Sequence, residues 1–217
     1  MTTHVKKRIL FVVAHPDDAE LAAGGFIRKS AAQGHDIKTI NLTISENTEE
    51  TRNFRLKAAE NAASILGFQL SWYADRKYNQ VEEIPISDLV GFIDKEIESF
   101  QPDIIFTHWD GDSHWDHILT SKAVMASTRK WSGDLYFIPP NELKTVRQYG
   151  FNPNTFVDIS DFFELKLDAI HQYNSFQGNI FRSLNVENVN RVNSYFGIIM
   201  GCDKGEAFLL QQKIEIL

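Results

Sequence analysis

Residues 8–20 read RILFVVAHPDDAE, and this stretch decides both the fold class and the place of the chemistry. Its first half is a continuous apolar run without alternation, typical of a strand that is covered on both faces in a parallel sheet. His15, Asp17 and Asp18 follow directly, so polar side chains begin where the strand ends. Because ligands in open α/β sheets bind at the carboxyl ends of strands, the stretch predicts a functional site beside a buried strand.

Strand and helix patterns alternate along the rest of the chain. Helices are predicted over residues 20–33, 49–66, 87–100, 116–130 and 161–173. Further strands are predicted over residues 36–43, 69–73, 103–107, 135–138 and 155–159. Ser160 is expected to cap the last helix, and residues 174–193, which lack clear periodicity, are interpreted as a loop region facing the substrate. The order predicts one α/β domain over residues 1–217, with a mostly parallel sheet between two layers of helices.

Composition narrows the classes of function. The chain has 29 acidic and 22 basic residues, and its formal net charge of −7 argues against non-specific binding to nucleic acid. Its single cysteine, Cys202, excludes an intramolecular disulfide and a thiolate-rich zinc module. The apolar run at the N-terminus is too short for a signal peptide and is followed by charged residues. No stretch approaches the roughly 18 apolar residues of a membrane span, so a cytoplasmic protein is expected.

A second polar cluster follows the strand predicted over residues 103–107. Residues 107–117 read THWDGDSHWDH, and with residues 14–20 they hold four of the seven histidines and five aspartates. Imidazole and carboxylate are the ligands expected for a divalent metal ion when thiolates are absent. A hydrolytic site also needs a position for water and a further carboxylate that accepts a proton. The two clusters supply these groups, and adjacent Asp17 and Asp18 suit the division between base and ligand.

Each cluster taken alone also has a purely structural explanation. Asp17 or Asp18 is placed to cap the helix that follows it, and Asp116 is placed to cap the next helix. His108 ends a strand, where a packed histidine is the commoner outcome, and most aromatic side chains other than Trp109 and Trp115 are expected in the core. Capping does not easily account for two such clusters at two strand ends, so the residues favour a metal site.

The two clusters resemble the AHPDDxE and HxDH motifs of the PIG-L/LmbE-like deacetylases, as AHPDDAE at residues 14–20 and HWDH at residues 114–117. The resemblance implies a Rossmann-like α/β fold and a metal-dependent hydrolase that removes an N-acyl group, typically acetyl, from an amino sugar or sugar conjugate. Weaker matches are Arg55, where the family has an arginine near the substrate, and GEAF at residues 205–208. The chain departs from the family at Ala58, usually acidic, and at residues 175–177, where a Ser-Gln pair is interrupted.

Carried over position by position, the resemblance implies one divalent metal ion with three ligands: His15, Asp18 and His117. Zn²⁺ is the expected ion, and Fe²⁺, Mn²⁺ or Co²⁺ fit the same ligands. Asp17 becomes the general base that takes a proton from the attacking water. His114, when protonated, stabilises the oxyanion or protonates the leaving amine. Asp116 hydrogen-bonds to an imidazole, with His114 as the expected partner.

Three further side chains are candidate substrate contacts: Arg55, Asp112 and Trp115. For Arg55 a solvated or salt-bridged role stays open. For Asp112 a turn, or a hydrogen bond that orients a metal ligand, stays open. The expected partner is a small N-acylated amino sugar or sugar conjugate, and a homo-oligomer is an open alternative because oligomers occur in the family.

Three other functions are alternatives to an N-deacetylase. A nucleotide-binding module needs a glycine-rich phosphate loop after the first strand, where this chain has two aspartates. A hydrolase acting on another bond, such as a phosphoester or a non-sugar amide, is a closer rival, but no basic cluster adjoins either motif. A catalytically silent binding relative would need neither Asp17 nor His114. A metal-dependent N-deacetylase is therefore the prediction.

Overall fold

The computed structural model describes residues 5–46, 48–140, 150–174 and 185–213. Strands within these ranges are β1 (Arg8–Val13), β2 (Asp36–Asn41), β3 (Gln69–Trp72), β4 (Ile104–His108), β5 (Asp134–Ile138), β6 (Thr155–Asp158) and β7 (Gly205–Gln212). Helices are α1 (Asp18–Ala32), α2 (Glu49–Leu66), α3 (Ile86–Phe100), α4 (Trp115–Ser127), α5 (Phe163–His171) and α6 (Val186–Met200). No helix among these residues is long and apolar enough to cross a membrane.

The strands form one sheet in the order β3-β2-β1-β4-β5-β7-β6. The first five are parallel, whereas β7 runs antiparallel to both of its neighbours, β5 and β6. The mostly parallel α/β sheet predicted from the sequence is therefore confirmed. The strand order reverses between β1 and β4, and such a switch point leaves a crevice at the carboxyl ends of the two strands. Both polar clusters start there.

Helices cover both faces of the sheet, and β1 contributes to the core on each side. Its odd-numbered residues, such as Phe11, pack with α1, α2 and α5, while its even-numbered residues, such as Leu10, pack with α3 and α4. Phe11 stacks on Phe106 of β4, with ring centroids 4.6 Å apart. Because β1 is buried on both faces, it reads as an unbroken apolar run rather than an alternating one.

The last third of the chain departs from the sequence prediction. α6 begins at Val186, so the loop predicted over residues 174–193 is wrong for its last eight residues; residues 175–184, including the interrupted Ser-Gln pair, lie outside the described ranges. Asn193 interrupts the buried stripe of α6, where it donates to the Gly205 carbonyl at 2.7 Å. A polar residue in the buried stripe hides the helical period from a sequence reading.

Ser160 does not cap α5 as predicted. It opens a 3₁₀ turn, Ser160–Phe162, and donates its own N–H and hydroxyl to Asp158. α5 follows this turn from Phe163.

α1 contains a kink that a buried ion pair occupies. Ala23 has non-helical backbone angles, and the N–H groups of Gly25 and Phe26 donate to the carboxylate of Glu206 at 2.9 and 2.7 Å. Lys166 of α5 completes the arrangement, with its Nζ 2.7 Å from Glu206 Oε1. The carboxylate therefore satisfies backbone donors that the kink exposes, and it ties the helix behind the polar clusters to β7 and α5.

Candidate active site

The structure brings the two polar clusters together in the crevice between β1 and β4. His15 follows β1, Asp18 begins α1, and His117 lies in the first turn of α4. All three side chains are buried, and Asp18 is 2% exposed. His108 at the end of β4 is buried beside them, whereas His114 is exposed at the rim. Residues separated by about a hundred positions thus meet because their strands are neighbours in the sheet.

Asp18 occupies the centre of this group. Its Oδ2 lies 3.5 Å from His15 Nδ1 and 3.3 Å from His108 Nε2, and its Oδ1 lies 3.4 Å from His117 Nε2. Two sets of side chains place ligand atoms within 4.8 Å of one another, and both include His117. The sets are His15, His114 and His117, and Asp18, His108 and His117. The predicted ligands are thus divided between two overlapping groups.

Two carboxylates orient the histidines that face Asp18. His117 Nδ1 lies 2.8 Å from Asp112 Oδ2, and His15 Nε2 lies 2.9 Å from Asp116 Oδ2. An imidazole that donates to a carboxylate through one nitrogen carries a lone pair on the other. The nitrogens turned toward Asp18 are therefore the ones free of a proton in the neutral rings. Metal-binding histidines in proteins have this arrangement.

The expected pairing of Asp116 with His114 is wrong. Asp116 Oδ2 contacts His15, and its Oδ1 accepts a hydrogen bond from the N–H of Val81 at 3.0 Å. His114 is the N-cap of α4 with extended backbone angles, and both oxygens of Asp116 are engaged by groups other than its ring. Asp116 of the second motif therefore orients His15 of the first motif.

The surrounding carboxylates favour positive charge at the centre. Burial lowers the pKa of His117, but Asp18 and Asp112 outweigh it and raise that pKa to about 10. Burial also lowers the pKa of His15, while hydrogen bonds with Asp116 and Asp18 raise it to about 9. A divalent cation supplies the same positive charge and competes with protons for these nitrogens. The electrostatics therefore suit a cation site.

His108 has a different role from the other histidines. Its Nε2 accepts a hydrogen bond from the N–H of Ala14 at 3.0 Å, which joins the end of β4 to the loop after β1. Burial and the charge of His117 lower the pKa of His108 to about 4, so the ring is neutral at pH 7. Because its lone pair is already engaged, the geometry favours the packed interpretation that the sequence left open.

Asp17, the expected base, lies in an unusual backbone conformation. Its φ of 96° falls in the left-handed region, and although it holds the N-cap position of α1 its side chain makes no capping hydrogen bond. Arg55 Nη1 donates to Asp17 Oδ2 at 2.9 Å instead. Burial raises the pKa of Asp17 to about 6, against the lowering effect of Arg55. A carboxylate with this pKa is suited to accept a proton near neutral pH.

The other predicted side chains are placed as follows. Both oxygens of Asp112 are engaged, Oδ2 by His117 and Oδ1 by the N–H groups of Ser113 and His114, so its contacts are those of a side chain that orients His117. Trp115 is 51% exposed and lines a groove of about 260 Å³ with residues of α3 and α4. Trp109, the other tryptophan beside the second motif, is buried, so of the two rings only that of Trp115 remains accessible.

His114 stacks against His117 at the rim, with ring centroids 4.4 Å apart. Burial, and after it the charges of His117 and His15, lower the pKa of His114. The expected role of His114 needs a protonated ring, and these neighbours disfavour it. The protonation of His114 therefore depends on what the two other histidines bind.

Sequence reasoning missed two residues near the site. Tyr173 donates its hydroxyl to Glu20 at 2.7 Å, and Glu46 accepts from Arg55 at 2.8 Å. Burial raises the pKa of Glu20 to about 7. Tyr173 lies 153 positions from Glu20, so no local pattern could have indicated the pair.

The amino-acid sequence is similar to a family model and to relatives that are named deacetylases. A family model described as PIG-L, GlcNAc-PI de-N-acetylase, matches residues 10–128. The chain is 28% identical to the uncharacterized deacetylase YaiS of Escherichia coli K12, over 78% of this chain and 92% of that protein. It is 29% identical to the diacetylchitobiose deacetylase of Thermococcus kodakarensis, over 78% of this chain and 70% of the relative.

Solved structures extend the similarity to the whole fold. The structure of GalB, the 4-carboxy-2-hydroxymuconate hydratase of Pseudomonas putida KT2440, matches with a TM-score of 0.75 at 20% identity. The match covers 97% of this chain and 99% of that one. At this identity the similarity establishes the α/β fold alone.

Proposed function

The chain belongs to the PIG-L family of GlcNAc-PI de-N-acetylases, and from this premise we propose that it is a metal-dependent hydrolase of N-acylated amino sugars or their conjugates. The acyl group is expected to be acetyl. One observation carries the proposal: Asp18 lies among imidazole nitrogens that two other carboxylates orient toward it, and Asp17 lies next to it without facing the same side chains. Asp18 and the histidines would thus form the ligand set, and Asp17 would be the separate base.

The donor set fits a divalent metal ion. His15 would bind through Nδ1 and His117 through Nε2, because Asp116 and Asp112 occupy the opposite nitrogens, and Asp18 would supply a carboxylate oxygen. Zn²⁺ is the proposed ion, and Fe²⁺, Mn²⁺ and Co²⁺ match the same donors. When bound, such an ion supplies a Lewis acid that polarises the acyl carbonyl and lowers the pKa of water.

The chain's own residues then handle protons and charge. Asp17 accepts the proton of the attacking water, since one of its oxygens is held by Arg55 and a carboxylate has a second oxygen to offer. His114, exposed at the rim and one helical turn from His117, stabilises the oxyanion or gives a proton to the leaving amine. Trp115 offers an accessible ring beside this rim for the substrate.

The proposed setting follows from the same features. The substrate is a small molecule rather than nucleic acid, because a net charge of −7 opposes phosphate binding. A cytoplasmic location and a single domain over residues 1–217 are proposed, and a homo-oligomer stays open.

The test combines metal analysis with product release. Protein purified without chelator is assayed for bound metal and for acetate released from a panel of N-acetylated sugars and sugar conjugates. We expect a stoichiometric divalent metal and acetate release that chelation abolishes and metal restores. If the metal-containing protein cleaved phosphoesters or non-sugar amides instead, it would be a hydrolase of those bonds. If it bound the sugars without turnover, it would be a catalytically silent relative.

A further inference from the structure

Arg55 of α2 reaches across to the loop that follows β1. Its Nη1 donates to the Pro16 carbonyl at 3.0 Å and to Asp17 Oδ2 at 2.9 Å. Its Nε donates to Glu46 Oε1 at 2.8 Å. The side chain is 12% exposed, as is that of Glu46. The guanidinium thus lies between two carboxylates and is directed at the loop rather than at solvent.

The loop after β1 needs support from other parts of the chain at Asp17. Asp17 has a φ of 96°, a conformation that side chains other than glycine adopt rarely and that persists only where the surroundings enforce it. The hydrogen bonds of Arg55 attach to the carbonyl before Asp17 and to its carboxylate. A single side chain therefore restrains both the backbone and the rotamer of the strained residue.

We propose that Arg55 is a positioning residue, which holds the carboxylate of Asp17 in its working orientation. The inference rests on the proposed function, in which Asp17 is the base. Glu46 belongs to the same device, because it fixes the guanidinium from the side opposite Asp17. Asp17, Asp18 and the N-terminus of α1 would otherwise relax together.

The alternatives explain the contacts less well. A solvated arginine would not be buried between two carboxylates. An arginine that bound substrate through Nη1 would have to release Pro16 and Asp17, and it would leave the strained loop without this support. Planar, forked donors suit the two-sided attachment seen here, which a lysine reproduces only in part.

The first test separates kcat from KM. Arg55→Gln is expected to lower kcat about 100-fold, the effect of misplacing a reacting group, while KM stays near that of the unsubstituted protein. Arg55→Lys should recover part of kcat. Lys57→Gln, which removes one exposed positive charge from the same helix, is the matched control and should leave both constants unchanged. A raised KM with unchanged kcat would overturn the proposal.

The second test isolates the pair. In an Asp17→Asn background, Arg55→Gln should cause no further loss of kcat, because the residue acts through Asp17. Metal content should stay at the level of the unsubstituted protein, since Arg55 touches none of the proposed ligands. Equal, multiplicative losses in the two backgrounds would show that Arg55 acts independently of Asp17.

The third test does not use activity, so it stands even if the proposed function fails. Thermal unfolding of chelator-treated protein is measured for Asp17→Asn, Arg55→Gln and the double variant. We expect the Tm of the double variant to fall by less than the sum of the single shifts, since each substitution removes the same interaction. Additive Tm shifts would rule out the proposed interaction of Arg55 with Asp17. Non-additive Tm shifts in a protein without deacetylase activity would support that interaction and count against the proposed function alone.

Discussion

Two adjacent aspartates experience opposite surroundings, and this difference divides their roles. Burial raises the pKa of Asp18, but the neighbouring His117 and His108 reverse the effect and hold that pKa well below its usual range. Asp17 faces Arg55 instead, and burial raises its pKa to about 6. A side chain that stays ionised suits a ligand, and one that exchanges a proton near neutral pH suits a base. The turn between β1 and α1 achieves this by directing the two side chains apart.

The division of roles predicts distinct outcomes for two substitutions. Asp17→Asn keeps the size of the side chain and should retain bound metal, but kcat should fall on the order of 10²–10⁴-fold, because proton transfer is lost. His15→Ala should lose the metal itself. Metal analysis and acetate release on the same preparations distinguish the two. Near-normal turnover by the Asp17 variant would show that the base is another residue.

Asp112 and Asp116 should tune metal affinity without binding the metal. Replacing either by asparagine weakens the hydrogen bond that orients His117 or His15, and such substitutions typically cost about 10–100-fold in affinity. Competition with a chelator of known affinity measures the change. Asp110→Asn, at an exposed position of the same loop, is the control and should leave the affinity unchanged.

At the scale of elements, the kinked α1 depends on charges from two other parts of the chain. Lys166 and Glu206 are each 1% exposed, and their ion pair lies against the point where α1 loses its regular hydrogen bonds. The glycine at position 25 is required there, because a Cβ would lie 2.6 Å from Ile159 Cδ1. α1 carries Asp18 at its first position, so this pair supports the site from behind.

Breaking the ion pair should therefore destabilise the protein strongly. Lys166→Met leaves the Glu206 carboxylate buried without its cation, which costs about 3–5 kcal/mol of the free energy of unfolding. Lys166→Met combined with Glu206→Gln removes both charges and keeps an acceptor oxygen for one of the two N–H groups, those of Gly25 and Phe26, so part of the stability should return. Urea denaturation of both variants is the measurement. If the double variant were no more stable than the single one, an uncompensated charge would not be the cause.

Elements were predictable where both ends carry local signals. α2 matches its prediction because Thr48 forms a capping box at its start and Gly67, with a φ of 82°, ends it. β7 and α6 were not predicted. Their mutual contact through Asn193 satisfies a buried amide, a reason for a polar residue that exists only in three dimensions. Sequence patterns therefore predict the burial of apolar side chains well and the burial of polar side chains poorly.

The same limit applies to the site across the whole molecule. The residue types and their places at two strand ends were predictable, because motif and strand are adjacent in the sequence. The pairings were not: Asp116 with His15 spans 101 positions, Tyr173 with Glu20 spans 153, and Arg55 with Asp17 spans 38. The histidine that Asp116 meets is set by the packing of α4 against the loop after β1, and the motif spacing alone suggested His114.

The fold of the whole molecule does not decide the reaction. A hydratase has the same architecture over nearly its whole length, whereas relatives of similar sequence are named deacetylases. Function on a shared fold is decided by the side chains at the switch point of the sheet. In this chain those side chains are histidines in contact with three carboxylates, those of Asp18, Asp112 and Asp116. A fourth carboxylate, that of Asp17, is hydrogen-bonded to Arg55.

That arrangement links the metal to the stability of the whole molecule. The proposed ligands come from the loop after β1, from α1 and from α4, so an ion that binds them joins both sides of the crevice in the folded chain and has no comparable site in the unfolded one. At a free metal concentration 100 times Kd, the gain is about 2.7 kcal/mol. Each kcal/mol raises the Tm of a protein of this size by about 2–4 °C.

We therefore expect Zn²⁺ added to chelator-treated protein to raise Tm by several degrees in calorimetry, and the rise should grow with the logarithm of metal concentration above Kd. His117→Ala should abolish the rise, because both candidate groups of ligands include His117. His171→Ala, a substitution of an exposed histidine at the end of α5 that belongs to neither candidate group, should leave it intact. An equal rise in the His117 variant would place the metal elsewhere on the chain and remove the basis for the proposed centre.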